Sequence, residues 1–185
     1  MKKIILLLGG ARSGKSFYAQ ELAKKMAKKV LFVATAEAGD EDMRRRIQSH
    51  QRSRPATWRT LELTRDIGKE IEAEIDDEPL VLIDCVTLLI GNLFGRHDEK
   101  EFDSIEDSVL EKEISAEIDS LLNCLKVTPA SFIIISNEVG LGIVPDNRMA
   151  RLYRDLLGRT NQKLARNSDE VYFMIAGIPL RVKPG

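Results

Sequence analysis

Gly9-Gly10-Ala11-Arg12-Ser13-Gly14-Lys15-Ser16 is the stretch whose reading decides the fold. It follows the apolar run Ile4-Ile5-Leu6-Leu7-Leu8 and leads straight into a segment of helical character, so the order is strand, loop, helix. The spacing G-x-x-x-x-G-K-[ST] puts small residues where backbone N–H groups turn inward around phosphate oxygens. It also brings Lys15 within reach of the β and γ phosphates and sets Ser16 beside a Mg²⁺ ion. The helix that follows directs its positive end at the same anion. A bare glycine-rich turn between strand and helix is the alternative, and the flanking elements favour nucleotide binding.

Working outward, Ser16 to Lys29 places Phe17, Leu22, Ala23, Met26 and Ala27 on one side at helical spacing, which predicts a helix lying on a sheet. Val30 to Thr35 is a second near-continuous apolar run, the pattern of a parallel strand covered on both faces. Its carboxyl end, Ala34-Thr35-Ala36, should open into the same crevice as the loop. Arg59 to Leu63 alternates like a short strand with Glu62 near its end, and Thr64 is expected to cap a helix reaching about Ile75.

Leu80-Val81-Leu82-Ile83-Asp84 ends an apolar strand in a carboxylate, like the second metal-site element of phosphate-loop NTPases. Asp84 either holds Mg²⁺ or caps a helix over Val86 to Phe94. Gly95 to Asp103, with His97, reads as an exposed loop without chemistry. Apolar residues from Ile105 to Leu125 recur at threes and fours, giving a long amphipathic helix. Ser131 to Ser136 is a further buried strand. Along the helix from Asn147 to Arg166, Arg148, Arg151, Tyr153 and Arg154 are expected to face a ligand while Leu152, Leu156 and Leu157 pack inward. Glu170 to Ile175 reads as a last central strand and Pro179 to Val182 as an edge addition.

These elements make one α/β domain over residues 1–185, a mostly parallel sheet with helices on both faces. With 28 basic and 29 acidic residues the formal net charge is −1. No whole-protein field attracts nucleic acid or an anionic membrane, so any basic site is local. Cys85 and Cys124 lie in apolar surroundings without C-x-x-C spacing and read as buried thiols of a reducing cytosol. The short apolar core after Met1-Lys2-Lys3 merges into the loop, unlike a signal peptide, and Pro79 to Ile90 is broken by Asp84, unlike a membrane span. A cytoplasmic protein with no nucleic-acid partner and no stable membrane insertion is expected.

One basic cluster does stand out. Met43, Ile47 and His50 fall on one helical face behind a cap at Asp40, and Arg44, Arg45, Arg46, Arg52 and Arg54 surround the histidine. Guanidinium groups bind phosphate bidentately, so His50 either attacks or is held beside a phosphorylated ligand. A structural histidine on a solvated basic face is the competing reading. Glu62 likewise either accepts hydrogen bonds from a base or ribose or is simply solvated.

Four motifs then line up over essentially the whole chain: G-G-A-R-S-G-K-S at Gly9 to Ser16, R-I-x-x-H at Arg46 to His50, R-P-x-x-W at Arg54 to Trp58, and N-E-V-G-x-G-x-V-P at Asn137 to Pro145. In this order they resemble the bifunctional adenosylcobinamide kinase and adenosylcobinamide-phosphate guanylyltransferase family of cobalamin biosynthesis. The resemblance implies a phosphate-loop NTPase-like (RecA-like) fold and two reactions. In the first, a nucleoside triphosphate, ATP or GTP, phosphorylates the aminopropanol hydroxyl of adenosylcobinamide. In the second, GTP guanylylates a histidine, pyrophosphate leaves, and adenosylcobinamide phosphate takes up the GMP to give adenosylcobinamide-GDP.

The family's histidine falls on His50, preceded here by Ser49 where some members carry a second histidine. By the same resemblance Ala34, Thr35, Ala36, Gln51, Arg52, Ser53, Arg54, Glu62 and Asp84 line the guanine nucleotide site beside the loop, Mg²⁺ sits on Ser16 and Asp84, and the assembly is a homotrimer. Neutral imidazole suits the role, because a covalent intermediate divides one hard displacement into two easier ones. Two alternatives stand beside this reading: a small-metabolite kinase in which His50 only binds phosphate, and a GTP-operated switch, against which counts the lack of an N-K-x-D element.

Overall fold

The computed structural model of the chain describes residues 1–37, 41, 54–97 and 105–184. Seven strands, β1 (Ile4–Gly9), β2 (Leu31–Ala34), β3 (Arg59–Glu62), β4 (Leu80–Asp84), β5 (Ser131–Ile135), β6 (Glu170–Ile175) and β7 (Ile178–Lys183), form one sheet in the order β3-β2-β4-β5-β1-β6-β7. The first six run parallel, and β7 returns antiparallel on β6. Parallel pairing brings the carboxyl ends of β1, β2, β4 and β5 to one edge of the sheet, where ligands bind in open α/β folds. β6, expected to be central, stands second from the edge, with β7 as the edge addition.

The apolar runs are continuous because both faces of the sheet are covered, and successive side chains go to opposite cores. In β1, Leu6 belongs to one core and Ile5 and Leu7 to the other; in β4, Val81 and Ile83 oppose Leu80 and Leu82; in β5, Phe132 and Ile134 oppose Ile133 and Ile135. The larger core is closed by helices α2 (Ile67–Glu74), α3 (Val86–Phe94), α4 (Asp107–Val127) and α5 (Arg148–Arg166). Burying each such leucine or isoleucine contributes about 1.5–3 kcal/mol.

Helix α1 (Lys15–Met26) covers the other face through Leu22, Ala23 and Ala27 as periodicity selects, but not through Phe17 or Met26. Ala19 and Ala23 are its buried contacts, with Tyr18, Leu22 and Ala27 packed at the margin. Phe17 is 74% exposed and Met26 also reaches solvent. Small side chains at Ala19 and Ala23 let the helix lie close to the sheet, and Phe17, two positions from Ala19 and so on the opposite side of the helix, faces outward.

The expected cap at Thr64 is replaced by a more distant one. Helix α2 starts at Ile67 after Asp66, whose backbone is left-handed (φ 50°) and whose side chain makes no cap bond. The buried carboxylate of Glu117 on α4 instead accepts the N–H groups of Asp66 (2.8 Å) and Ile67 (2.9 Å). α2 and α4 meet closely at Gly68, where a Cβ would stand 2.6 Å from the Ser120 carbonyl oxygen.

Candidate active site

At the end of β1 the chain turns through Gly9 (φ 148°), Arg12 (φ 58°) and Gly14 (φ 92°), and Gly14 is the residue from which α1 springs. The loop closes on itself through Ser13 N–H to the Gly10 carbonyl at 3.3 Å, and the helix begins with Tyr18 N–H on the Gly14 carbonyl at 3.0 Å. No acidic residue occupies the first turn of α1, so its positive end faces the loop uncompensated.

Lys15 is buried with its ammonium folded back onto the loop. It donates to the carbonyls of Gly9 (2.9 Å) and Gly10 (2.6 Å) and stands 3.4 Å from the Ser13 hydroxyl. Burial pushes its pKa below the ordinary lysine value, with Cys85 and then Asp84 opposing that shift. A phosphate entering the loop offers the same ammonium anionic oxygens in place of neutral carbonyls, and charge-assisted bonds are the stronger.

A cleft of about 580 Å³ opens here, lined by residues 11–17 together with Asp84, Cys85, Ile135 and Asn137. Asp84, at the end of β4, and Ser16, in the first turn of α1, thus line the same space. A hydroxyl and a carboxylate are hard oxygen donors, and Mg²⁺ is commonly held by one or two such protein groups together with substrate phosphates and water, so the pair fits that ion. Burial pushes the Cys85 thiol up to about 11, which disfavours the thiolate.

The end of β2 is clasped to the end of β4. The buried Thr35 hydroxyl donates to the Cys85 carbonyl (2.7 Å) and accepts the Cys85 N–H (2.8 Å), while Asn92 donates to the Thr35 carbonyl at 2.8 Å. Ala34 is buried and Ala36 half-buried beside this clasp. A neighbouring hollow of about 320 Å³ is lined by Arg54, Pro55, Ala56, Trp58, Thr60 and Glu62. The Arg54 guanidinium lies 3.6 Å from the centre of the Phe32 ring, donates to the Thr60 hydroxyl (3.3 Å), and keeps a buried Nε with no hydrogen-bond partner among the described residues. Burial lowers its pKa, and the charges of Asp84 and Glu62 work against that shift, so both carboxylates act on it electrostatically. His50, Gln51, Arg52 and Ser53, with the arginines Arg44 to Arg46 and the helix expected behind the Asp40 cap, lie outside the described residues.

The side chains of α5 are used differently from the expectation. Tyr153 donates its hydroxyl to the Thr87 carbonyl (2.9 Å) and meets Phe94 edge-on at 5.3 Å, and burial pushes its phenol up to about 12. Arg148 binds Asp107 and the Ile105 carbonyl, and Arg154 pairs with Asp155. Arg151 clips the carbonyls of Pro145 (3.0 Å) and Asp146 (2.6 Å), which fixes the far end of the loop after β5. The near end is held by Glu138 N–H on the Gly9 carbonyl (3.0 Å), Asn137 N–H on the Thr87 hydroxyl (2.6 Å) and Asn161 on the Asn137 carbonyl (3.0 Å). Nothing in the spacing of Thr87 and Asn161 marks them as supports of this loop; only the N-E-V-G-x-G-x-V-P motif pointed to the region. The groove between α4 and α5, spanned by the Arg159–Glu111 and Lys163–Asp119 pairs, contains none of the motif residues.

Fold and cleft together define a phosphate-loop NTPase-like α/β protein of the RecA-like kind. Solved structures agree at the level of the fold. The RadB recombinase superposes with a TM-score of 0.51 at 17% identity, over 92% of this chain and 73% of that one. A Pyrococcus horikoshii OT3 protein gives 0.56 at 9% identity, over 98% and 86%. The family model described as cobinamide kinase / cobinamide phosphate guanyltransferase matches residues 5–182. The chain is 40% identical over 181 residues to the bifunctional adenosylcobalamin biosynthesis protein CobU of Escherichia coli, covering 97% of this chain and 99% of that protein. It is 39% identical over 178 residues to CobP of Pseudomonas aeruginosa, covering 96% of each. The chain belongs to the cobinamide kinase / cobinamide phosphate guanyltransferase family.

Proposed function

We propose that this member of the family carries out both of the family's reactions at the carboxyl edge of the sheet, with the phosphate-loop cleft as the shared triphosphate site. The observation that carries the reading is that Lys15, Ser16 and Asp84, from two separate elements, line one cleft at the mouth of α1. In the kinase reaction the loop amides and Lys15 hold the β and γ phosphates of ATP or GTP. The cobinamide hydroxyl oxygen bonds to the γ phosphorus, the bond to the β-phosphate oxygen breaks, and the hydroxyl proton passes to solvent. Ser16 and Asp84 would hold Mg²⁺, which when bound neutralises phosphate charge.

In the guanylyl transfer, a neutral His50 ring nitrogen attacks the α phosphorus of GTP and pyrophosphate leaves. The phosphate of adenosylcobinamide phosphate then attacks the same phosphorus, giving adenosylcobinamide-GDP and freeing the imidazole. Glu62 accepts hydrogen bonds from the guanine edge or ribose, Arg54 offers its guanidinium to phosphate, and Ala34, Thr35, Ala36, Gln51, Arg52 and Ser53 complete the walls. We assign a homotrimer, supported by the row of exposed apolar residues Ile178, Leu180 and Val182 on β7. A cytoplasmic location is supported by two free, buried thiols. Among the described residues no helix is long and apolar enough to cross a membrane.

The test is incubation with Mg²⁺ and GTP labelled at the α phosphate. Wild type forms an acid-labile labelled protein and His50→Ala does not. Equal labelling of the variant would remove His50 from the mechanism. No labelling of either, with kinase activity intact, would leave the simple small-metabolite kinase.

A further inference from the structure

The turn between β6 and β7 touches the phosphate loop, and nothing in the two reactions calls for that contact. Gly177 N–H donates to the Ser13 carbonyl at 2.9 Å. A Cβ on Gly14 would stand 3.0 Å from Gly177 Cα, and one on Gly9 would stand 2.6 Å from the Met174 carbonyl oxygen. The end of β6 and the turn therefore press directly on backbone at both ends of the loop. Ala176 (φ 50°) and Gly177 (φ 83°) are both left-handed, as a tight two-residue hairpin turn demands.

The geometry points to the β6–β7 turn as a positioning element for phosphate binding. Gly177 fixes the plane of the Ser13–Gly14 peptide, and through that plane it aims the Gly14 N–H at the anion. The Ser13–Gly14 bond is trans, so its C=O and N–H point in opposite directions across a rigid plane. Tying the carbonyl outward to the hairpin turns the amide inward, toward the space where the loop's N–H groups converge on phosphate. An untethered glycine-flanked peptide can rotate as a unit at little steric cost. Gly177 acts here through Ser13 and Gly14 and contacts no substrate. The inference rests on the proposed triphosphate site.

The side-chain position of Gly177 faces open space among the described residues, none of which comes within 4 Å of where a Cβ would stand. A Cβ there meets none of the described residues, so the two variants are compared on their backbone preference. Gly177→Asn keeps the left-handed conformation, whereas Gly177→Val opposes it. GTP binding with Mg²⁺ is measured by calorimetry, kinase kinetics are taken with saturating acceptor, and exchange of the Gly177 amide is followed by NMR.

Gly177→Val is expected to weaken GTP binding and raise the nucleotide KM by about three- to tenfold, the range for one hydrogen bond, with kcat unchanged because ground and transition states lose the same contact. Gly177→Asn is expected to match wild type in both. A merely structural role would reduce the active fraction, and hence the apparent kcat, and leave KM in place. In wild type the Gly177 amide should exchange slowly, and more slowly still with GTP bound.

Wild-type KM in Gly177→Val, equal losses in both variants, or an unprotected Gly177 amide would each overturn the inference. The last measurement needs no variant, so it decides even where Gly177→Val fails to fold. Absence of GTP binding by wild type would instead sink the triphosphate site itself.

Discussion

Glu117→Ala tests how far one buried carboxylate, placed on α4, determines the start of α2. Its two oxygens accept the N–H groups of Asp66 and Ile67, and Asp66 makes no side-chain cap of its own. Hydrogen bonds to a charged group are worth about 1.5–3 kcal/mol each, so losing two removes roughly 3–6 kcal/mol before relaxation. Water reaches the part-buried Asp66 amide in the variant, and alanine's better helix propensity returns a few tenths, which leaves a net loss of about 3 kcal/mol. For a chain of this size that corresponds to a melting midpoint lower by about 6–12 °C. Urea unfolding at pH 7, followed by far-ultraviolet circular dichroism, should show a lower midpoint at unchanged slope, with Glu117→Gln in between because it keeps one acceptor. Exchange of the Asp66 and Ile67 amides should accelerate in step. A loss below about 1 kcal/mol would show that the carboxylate is a bystander and that burial of Ile67 and Ile71 alone sets the helix.

Two further outcomes follow from the described contacts. Arg59 holds the Glu78 carboxyl at about 2, below its ordinary 4.5, through a 2.8 Å hydrogen bond. The folded state thus binds fewer protons, so this stabilisation is complete above pH 4.5 and fades as pH falls from 4.5 toward 2. Because Arg59 is more than one-third exposed, solvent screening reduces the contribution to about 1 kcal/mol. Urea midpoints between pH 7 and 3 should therefore decline less steeply in Arg59→Gln, and parallel curves would reject the pairing. Ala176 carries a left-handed backbone without being glycine, so Ala176→Asn should raise stability by about 0.5–1 kcal/mol, read as a higher midpoint in thermal melts; an unchanged or lower midpoint would show that the turn is not strained.

Much of this architecture could be read from residue order because the apolar runs are strand-length and each ends at a loop or polar residue suited to the carboxyl edge. Gly9, Thr35, Asp84 and Ser136 all come where a parallel strand gives out, and the phosphate loop identifies which edge binds. Contacts between distant residues were not legible. Periodicity ranks Phe17 above Ala19, yet the close approach of α1 to the sheet selects the smaller side chain. Local capping rules favour Thr64, yet Glu117 supplies the acceptors from another helix. Tyr153 and Arg151 look like ligand residues from their polarity, and they hold backbone carbonyls instead. The contact of Gly177 with Ser13 leaves no trace in spacing at all, since it depends on β6 lying next to β1.

That adjacency also governs when the binding edge can exist. Ile4 pairs with Phe132 on one side and Ile5 with Glu170 on the other. β1 therefore emerges ahead of both of its neighbours in the sheet and stays apolar and unpartnered at least until β5 has been synthesised, and pairing between such remote segments is slow. The phosphate loop precedes in the chain the strands that complete its surroundings, so a chain stalled before β5 should present a sticky β1 to chaperones rather than a working anion cradle.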